Sequence, residues 1–588
     1  MASEPRGTRL AAFAVAVALL FTLLVGRLWQ LQVVQGAYYL RVSEENRLRD
    51  LRLPAPRGIL FDRKGRPLVS NRAAFTVSVL QMELRDPERV LPRLAEILGL
   101  SETEIRDQLT RARTRPFEPV RLRRDAPKRV VAMVEENRLD LPGVIIEVEP
   151  VRHYLYGTLA AHALGHLGEI SPAELAAWSG YRMGDLVGKT GIERVYDRLL
   201  RGRDGRLRVE VDARGRPLRV LTREPSRPGT SLVLTIDLDI QQAAEAALGD
   251  RAGAVVVLDP RTGEVLALAS HPAFDPNVFA AGISARNWAR LAGDRSLPLI
   301  NRAADSAYEP GSVFKIVTAA AALTRGTATR ATRIHCPGFL RFGGRVFRDL
   351  KAHGTVDFVT GVAQSCNVFF WTIGLRTGGD AIAEMARALG LGERTGIDLP
   401  SEAAGLIPSS EWKQRTQGEP WYPGDNLNIA IGQGWVNTTT LQIARMVAAI
   451  GNGGTLVRPH LVREAGARAA AAVERVPIAP AGRIDLPPEA LRTLREALEA
   501  VVLRGTGRGV AIPGLTIAGK TGSAENPRGQ PHAWFTAYAP ADAPRVAVAV
   551  IVEHGRRGAL AAGPIARAVL LAAFGIPPAP EASRGAAP

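Results

Sequence analysis

A serine and a lysine that could carry out acyl transfer lie three positions apart in the segment Tyr308–Leu323, YEPGSVFKIVTAAAAL. The segment is apolar enough to form a buried helix, and the i, i+3 spacing places Ser312 and Lys315 on one face. Free backbone N–H groups at the start of a helix favour developing negative charge, so Ser312 could attack a carbonyl there. Lys315 could accept the serine proton if burial lowers its pKa.

The Ser-x-x-Lys pattern is weak on its own because it occurs twice in the chain. The second match, Ser410–Lys413 in SSEWK, precedes a polar run and favours a helix N-cap on the surface. Cation usage supports the first match: the chain has 68 Arg against 7 Lys, so lysine stands where a removable proton matters. The alternative for Ser312 and Lys315 is a capped core helix without chemistry.

Two later motifs offer the other groups that such a site needs. Ser365-x-Asn367 is the only Ser-x-Asn in the chain; a turn there could aim a hydroxyl and an amide into one cleft, although the pattern alone is more typical of a plain turn. The segment Lys520–Ser523, KTGS, lies between two apolar segments, where an edge strand would present a cation and two hydroxyls. A second Lys-Thr-Gly, Lys189–Gly191, runs into a helical segment and is predicted to be a structural turn.

The N-terminus predicts a membrane anchor. The net charge of +17 would suit nucleic acid or an anionic surface, but Leu10–Gly26 carries no charge and apolar residues extend the segment to Val34. We therefore predict a transmembrane helix at 10–34, with residues 1–9 in the cytoplasm because Arg6 and Arg9 precede it. No small-x-small cleavage site follows, which favours a retained anchor over a signal peptide. A nucleic-acid partner is not expected.

The remaining chain predicts an α+β fold in two domains. Residues 35–230 alternate short strands and helices and form a pedestal domain, which ends near the basic run 201–228. In residues 231–574, apolar strands from both ends would form one antiparallel sheet, flanked by helices and by a mostly helical subdomain at about 310–510. The predicted strands there are 254–258, 264–270, 516–518, 532–539 and 545–552, with a closing helix at 564–574. The tail, 575–588, is predicted to be disordered.

The cysteines and the known metal motifs indicate no metal site. Cys336 and Cys366 are the only cysteines, and their spacing leaves open whether they form a disulfide or stay reduced. No HExxH and no paired CxxC pattern occurs. We therefore predict neither a metal nor a cofactor.

In their order along the chain, the three motifs resemble those of the penicillin-binding proteins. YEPGSVFK, QSCN, GKTGSAE and HAWFTAYAP resemble the transpeptidase domain of class B members, and PRGILFDRKGRPLVSN and GKTGIERVYDRLLRG resemble their pedestal. Together these segments cover most of residues 55–570. WYPGDNLNIAIGQG is more similar to the elongation type than to the division type.

The resemblance implies a D,D-transpeptidase that cross-links peptidoglycan stem peptides and is acylated by β-lactams. Ser312 would attack the donor carbonyl, and Lys315 would take its proton while the charge of Lys520 keeps Lys315 neutral. Ser365 would pass a proton to the departing D-Ala, and Asn367 would hold the donor backbone.

The same resemblance implies how the substrate is held and with what the chain associates. Thr521 and Ser523 would bind the terminal carboxylate of the donor, Gly522 would let its backbone approach, and the N–H groups of Ser312 and Ser523 would form the oxyanion hole. Class B members lack a glycan polymerase of their own, so a SEDS-type membrane glycosyltransferase is the implied partner. The anchor would keep the protein in the cytoplasmic membrane with its catalytic domain outside.

Other functions of the same fold stay open from the sequence. A division-type transpeptidase, a D,D-carboxypeptidase, a β-lactamase or a non-catalytic β-lactam sensor would carry the same three motifs. A pedestal of about 190 residues is unusual for the hydrolases, and a sensor usually adds membrane segments or an intracellular effector. A bifunctional enzyme would need a glycosyltransferase at 40–230, where no Glu-Asp-x-x-Phe pattern occurs.

The two Ser-x-x-Lys matches can be separated by labelling with a tagged penicillin. Ser312→Ala should abolish labelling because the acylated oxygen is gone, whereas Ser410→Ala should leave it intact. The stoichiometry of labelled protein measures both effects. Full labelling of the Ser312→Ala protein would contradict the assignment of the nucleophile.

Overall fold

The computed structural model describes residues 6–111, 119–212, 217–466, 474–475, 479, 481–526 and 529–578. The predicted tail at 575–588 lies outside the described residues from residue 579 onward, as do the first five residues of the predicted cytoplasmic segment.

The N-terminal segment is a long apolar helix. An α-helix, Arg6–Trp29, continues into a π-helical turn, Gln30–Val34. The 25 residues Leu10–Val34 are long and apolar enough to cross a membrane, and their most apolar 18-residue stretch has a mean hydropathy of 2.3. Large apolar side chains along it, such as Leu23 at 74% exposure, have no protein core to pack against, and a hydrocarbon environment would cover them. The helix coincides with the predicted anchor.

The α+β composition predicted from the sequence is confirmed. In chain order, the later α-helices are Gly36–Arg47, Pro87–Leu98, Glu102–Arg111, Lys128–Glu136, Ala161–Leu164, Pro172–Ala177, Gly191–Val195, Asp197–Leu200, Leu238–Leu248, Ala285–Ala292, Lys315–Thr324, Phe358–Ala363, Asn367–Thr377, Gly379–Ala388, Ser410–Gln417, Pro423–Ala430, Thr440–Gly451, Pro488–Arg504 and Gly558–Ala573. The strands are Leu48–Leu53, Leu60–Phe61, Pro67–Val79, Val120–Arg123, Val144–Tyr154, Leu167–Glu169, Leu186–Gly188, Gly205–Val211, Pro217–Glu224, Leu232–Leu234, Gly253–Leu258, Val265–His271, Arg333–Cys336, Phe339–Phe342, Arg345–Arg348, Gly354–Asp357, Thr455–Leu456, Val462–Ala465, Glu474–Arg475, Gly482–Arg483, Ala518–Ala524, His532–Ala539 and Val546–Val552.

The chain divides into two compact units whose segments interleave along the sequence. The first comprises Met1–Pro56, Arg72–Val151 and Gly202–Pro228, and the second comprises Arg57–Asn71, Arg152–Arg201 and Gly229–Pro588. The three motifs at Ser312, Ser365 and Lys520 all belong to the second unit.

The first unit contains a small sheet that the sequence did not predict. Leu48–Leu53 pairs antiparallel with Gly205–Val211, which pairs in turn with Pro217–Glu224. Two strands therefore come from the basic run expected to end the pedestal. A capping box begins the helix Glu102–Arg111: the Ser101 backbone N–H donates to Glu104 Oε2 at 2.8 Å, and the Glu104 backbone N–H donates to Ser101 Oγ at 3.2 Å.

The second unit is built on a five-stranded antiparallel sheet. Its order is Val265–His271, Gly253–Leu258, Val546–Val552, His532–Ala539 and Ala518–Ala524. The sheet thus joins both ends of the predicted domain, and the KTGS segment lies on its edge strand, as expected. Two bounds differ from the prediction, because the edge strand runs on through KTGS to Ala524 and the closing helix begins at Gly558 with Pro564 inside it.

Successive side chains of the central strands enter two different cores, as the alternation of a strand requires. Trp534 belongs to a core that includes the helical region around Ser312 and the helix Thr440–Gly451, whereas Phe535 belongs to a core under the helices Leu238–Leu248 and Gly558–Ala573. Burial on both faces holds the edge strand in a fixed position beside the helical region.

Two residues of the turn-and-strand motif PRGILFDRKGRP are structural. The Arg57 guanidinium pairs with Glu193 at 2.7 Å and with Asp197 at 2.9 Å, and Glu193 also accepts from buried Arg152 at 2.7 Å. Asp62 is completely buried and accepts from the backbone N–H of its own turn. Removing one member of a buried ionic network lowers the free energy of unfolding by about 3–5 kcal/mol. Substitutions here would therefore destabilise the fold, whatever their effect on a partner.

Candidate active site

Ser312 lies in a short turn that glycines allow to be unusually tight. The 3₁₀ turn Gly311–Val313 leads directly into the helix Lys315–Thr324. A Cβ on Gly311, whose φ is +51°, would lie 2.6 Å from the carbonyl oxygen of Ser523, and a Cβ on Gly432 would lie 2.4 Å from the carbonyl oxygen of Gly311. Glycine is required at both positions, because the turn is wedged between the edge strand and the loop at Gly432.

The hydroxyl of Ser365 stands between two buried lysines. Lys315 Nζ lies 3.2 Å from Ser365 Oγ and also donates to the Ser365 carbonyl at 2.8 Å and to Asn367 Oδ1 at 2.6 Å. Lys520 Nζ lies 2.9 Å from the same Ser365 Oγ and 3.0 Å from the Thr521 carbonyl. The second motif therefore bridges the lysines of the first and the third.

The backbone around Ser365 explains how one short motif can aim two side chains at one place. Ser365 has a φ of +55°, a left-handed conformation that is uncommon for a residue with a Cβ. It follows the helix Phe358–Ala363, and Asn367 begins the next helix. The motif is thus a turn between two helices, and this geometry agrees with the predicted cleft-facing turn.

Burial makes both lysines poor cations. Lys315 is 1% exposed and Lys520 is fully buried. Burial lowers the pKa of Lys315 to about 8, although the negative Asp349 opposes the shift. Burial, and then the charge of Lys315, lowers the pKa of Lys520 well below its usual range. The charge of Lys315 thus disfavours protonation of Lys520, whereas the sequence-based expectation was that the charge of Lys520 keeps Lys315 neutral.

The KTGS segment presents its side chains on both sides of the edge strand. Thr521 is 7% exposed, and its Oγ1 lies 2.7 Å from Thr506 Oγ1. Ser523 is exposed, and its hydroxyl oxygen accepts from the Gly558 N–H at 3.3 Å. A Cβ on Gly522 would lie 2.9 Å from Val313 Cγ2, so this glycine lets the nucleophile turn pack against the strand, a contact that the sequence did not indicate.

The two look-alike motifs serve other purposes. Ser410 donates to Asp380 at 2.6 Å, while Lys413 is buried and donates to Asp425 at 2.7 Å. The predicted surface N-cap is wrong in detail, because the cap is Ser409 and the lysine is not on the surface. The Lys189–Gly191 segment is a structural turn, as predicted: Thr190 precedes the helix Gly191–Val195.

Four potential metal ligands meet directly behind the second motif. Ligand atoms of Cys336, Asp349, His353 and Cys366 all lie within 4.8 Å of one another. Asp349 Oδ2 is 3.5 Å from Cys336 Sγ, 3.3 Å from Cys366 Sγ and 3.6 Å from His353 Nδ1. Both cysteines are free and buried. Sequence reasoning missed the cluster because its members come from three strand ends and a helix cap and match no compact motif.

The cluster fits a tetrahedral zinc site in both chemistry and size. Zinc bonds of ~2.0–2.3 Å place the ligands of a tetrahedron about 3.3–3.8 Å apart, and the separations around Asp349 lie in this range. Two sulfurs, an imidazole and a carboxylate are also ligands that zinc prefers. Cys366 stands between Ser365 and Asn367, so an ion held there would fix the backbone of the second motif.

The site combines a serine at the start of a helix with two buried lysines that meet at a second serine, and one of these lysines lies on an edge strand. These features define an active-serine acyl-transferase of the penicillin-binding type. A family described as the penicillin-binding protein transpeptidase domain matches residues 253–571, and one described as the penicillin-binding protein dimerisation domain matches residues 52–234. The chain belongs to the penicillin-binding proteins, in the group of penicillin-binding protein 2.

Individual proteins support this placement. Peptidoglycan D,D-transpeptidase MrdA of Acinetobacter baumannii is 36% identical, covering 94% of this chain and 85% of its own. Penicillin-binding protein 2 of Helicobacter pylori, solved in complex with MreC, is 27% identical with a TM-score of 0.77, covering 90% of this chain and 99% of its own. A chain from a peptidoglycan synthase complex that coordinates polymerization and crosslinking is 34% identical with a TM-score of 0.70, covering 97% and 99%.

The pKa of Lys315 predicts how penicillin acylation depends on pH. A lysine that acts as the base must be neutral, and with a pKa of about 8 its neutral fraction grows as pH rises. The second-order rate constant for acylation should therefore increase from about pH 6 and level off above about pH 9. Stopped-flow acylation with a chromogenic β-lactam measures the profile.

Two variants separate the roles of the lysines. Lys315→Arg should remove the rise and slow acylation by orders of magnitude, because a guanidinium stays protonated. Lys520→Arg puts a permanent cation where the carboxylate of a bound β-lactam would favour a protonated lysine, and its effect should be milder. A flat profile for the unaltered protein, or equal losses in both variants, would contradict the assignment of Lys315 as the base.

Proposed function

We propose that this chain is an elongation-type peptidoglycan D,D-transpeptidase in which Ser312 forms the acyl-enzyme. The observation that carries the proposal is the pair of buried lysines that share the Ser365 hydroxyl beside the nucleophile turn. Such a chain of groups can take a proton from one side of the reacting carbonyl and return it on the other. The similarity to relatives named D,D-transpeptidase, over 94% of the chain, supports the same reaction.

In the acylation step, Ser312 Oγ attacks the carbonyl of the penultimate D-Ala of the donor peptide. The hydroxyl proton passes to Lys315, and the backbone N–H groups of Ser312 and Ser523 donate to the developing oxyanion. The peptide bond then breaks, and the leaving D-Ala nitrogen takes a proton through Ser365. The amino group of an acceptor stem peptide resolves the ester and regenerates Ser312.

Substrate binding helps to set the protonation of the two lysines. The terminal carboxylate of the donor binds to Thr521 and Ser523, close to Lys520, and its negative charge favours the protonated form of that lysine. The resulting charge lies across the Ser365 hydroxyl from Lys315 and lowers its proton affinity. Lys315 therefore becomes a better base when a donor is bound, and Asn367 holds both Lys315 and the donor backbone.

The alternative functions lack comparable support. The MrdA relatives, which are similar over 94% of the chain, are named D,D-transpeptidases, and a β-lactamase, a carboxypeptidase or a sensor has no such support here. The division type remains the nearest rival because it shares the reaction, and the elongation assignment is supported by the similarity to the MrdA group.

We also propose that the anchor helix places the catalytic unit outside the cytoplasmic membrane and contacts a SEDS-type glycan polymerase. Two arginines precede the apolar helix, so the positive-inside rule puts the N-terminus in the cytoplasm. The similarity to a chain from a synthase complex that polymerizes and crosslinks is the support for the polymerase.

Reconstitution with a lipid-linked disaccharide-peptide substrate tests the function and the partner together. The chain and a SEDS polymerase in liposomes should produce cross-linked glycan, and Ser312→Ala should stop cross-linking while polymerisation continues. Replacing residues 6–34 by an unrelated single-pass helix should reduce copurification and polymerisation but leave penicillin acylation intact. Residues 57 and 62 are unsuitable probes because they are part of the folded interior.

Two results would contradict these proposals separately. Cross-linking by the Ser312→Ala protein would overturn the catalytic assignment. Full polymerase activation by the chain with the replaced anchor would overturn the role of the helix, without affecting the transpeptidase assignment.

We propose a structural zinc ion at Cys336, Asp349, His353 and Cys366. Purified protein should contain about one zinc per chain, measured by elemental analysis, and should lose it in Cys336→Ser or His353→Ala. The matched control is His335→Ala, since His335 is exposed on the same strand as Cys336. Metal loss should also lower the melting temperature, because the ligands tie together separate segments. Zinc-free protein with an unchanged melting temperature would contradict the site.

A further inference from the structure

Thr506 is a hydroxyl residue outside all three motifs that contacts the substrate-binding strand. Its Oγ1 lies 2.7 Å from Thr521 Oγ1. Thr506 follows the helix Pro488–Arg504 in the sequence RGTGRG. This segment matches none of the three motifs, so its residue types alone do not indicate a role in catalysis.

The position of Thr506 is fixed by its backbone as well as by its hydroxyl. Its N–H donates to the carbonyl of Ala363 at 3.0 Å, and Ala363 ends the helix that leads into Ser365. A Cβ on the preceding Gly505 would lie 2.3 Å from the same carbonyl oxygen, so only glycine lets the loop come this close. The following Gly507 donates to the Val501 carbonyl at 2.9 Å.

These contacts close a ring that includes residues of the second and third motifs. Thr506 joins Ala363 to Thr521, the Thr521 carbonyl accepts from Lys520, and Lys520 Nζ lies 2.9 Å from Ser365 Oγ. Ser365 lies two residues beyond Ala363. The ring therefore links the second and third motifs, and Thr506 is its one member whose side chain belongs to neither.

We infer that Thr506 is a positioning residue that makes the Thr521 hydroxyl a hydrogen-bond donor to the carboxylate of the donor peptide. A threonine hydroxyl has one proton. If Thr506 donates its proton to Thr521 Oγ1, the Thr521 proton is directed away from Thr506 and is available to an anion in the cleft. Hydrogen bonds in such a chain polarise one another, so a charged acceptor benefits most. The inference rests on the proposed function, because it needs a carboxylate-bearing substrate.

The test compares Thr506→Val with Thr506→Ser in acylation of the full-length protein. Valine keeps the shape of threonine and removes the hydroxyl, and it should lower the second-order rate constant for benzylpenicillin about three- to tenfold, as loss of one hydrogen bond between neutral groups does. The loss should appear in the binding constant that precedes acylation and not in the acylation step. Serine should restore the unaltered value.

Two further measurements distinguish positioning from mere support of the fold. With benzylpenicillin methyl ester, which has no carboxylate charge, Thr506→Val and the unaltered protein should react at the same rate. In a Thr521→Val background, Thr506→Val should have no further effect, because the two hydroxyls act as one unit. Melting temperatures of all variants check folding.

Several results would overturn the inference. Equal rates for Thr506→Val and the unaltered protein with benzylpenicillin would do so, as would an equal loss with acid and ester, or additive losses in the double variant. If the unaltered protein is not acylated at all, the proposed function fails instead, and the two failures are thereby distinguished.

Discussion

One hydroxyl shared by two buried amines is the interaction on which the rest of the site depends. Lys315 and Lys520 approach Ser365 Oγ from two different elements, a helix and an edge strand. Burying both amines in the charged form would cost a large free energy, because two positive charges that contact the same hydroxyl repel strongly in a poorly solvated site. The pair must therefore hold fewer than two protons near neutral pH, and this shortage makes one amine available as a base.

Much of the second unit serves to keep these two lysines at this distance. The helix that carries Lys315 is buried on all sides, and the strand that carries Lys520 is the edge of a sheet whose two faces enter separate cores. Between them, the left-handed Ser365 and the tight approaches at Gly311, Gly432 and Gly522 leave little room for adjustment. Because these close contacts hold the side chains of the site in place, few groups have to move during the reaction, and this preorganisation increases reactivity.

The sequence was sufficient for features with a local signature and insufficient for those made by distant segments. The anchor helix and the structural turn at Lys189–Gly191 each depend on residues near one another, and the sequence predicted both. The four-residue cluster around Asp349, the hydroxyl contact of Thr506 and the strands within 201–228 depend on segments brought together by the fold. The pKa of Lys315 also depends on the nearby Asp349, which spacing alone could not place beside it.

The pairing of Gly253–Leu258 with Val546–Val552 has a consequence for how the protein matures. The two central strands are about 300 residues apart in the chain, and contacts between distant residues form slowly because a long loop must close first. The N-terminal strand of the pair is synthesised before the middle of the chain, whereas the strand that it pairs with is among the last segments made. Until then, an apolar strand edge is exposed on the growing chain. We therefore expect this sheet to close only after most of the chain has been made, and we expect the nascent chain to be prone to aggregation until then.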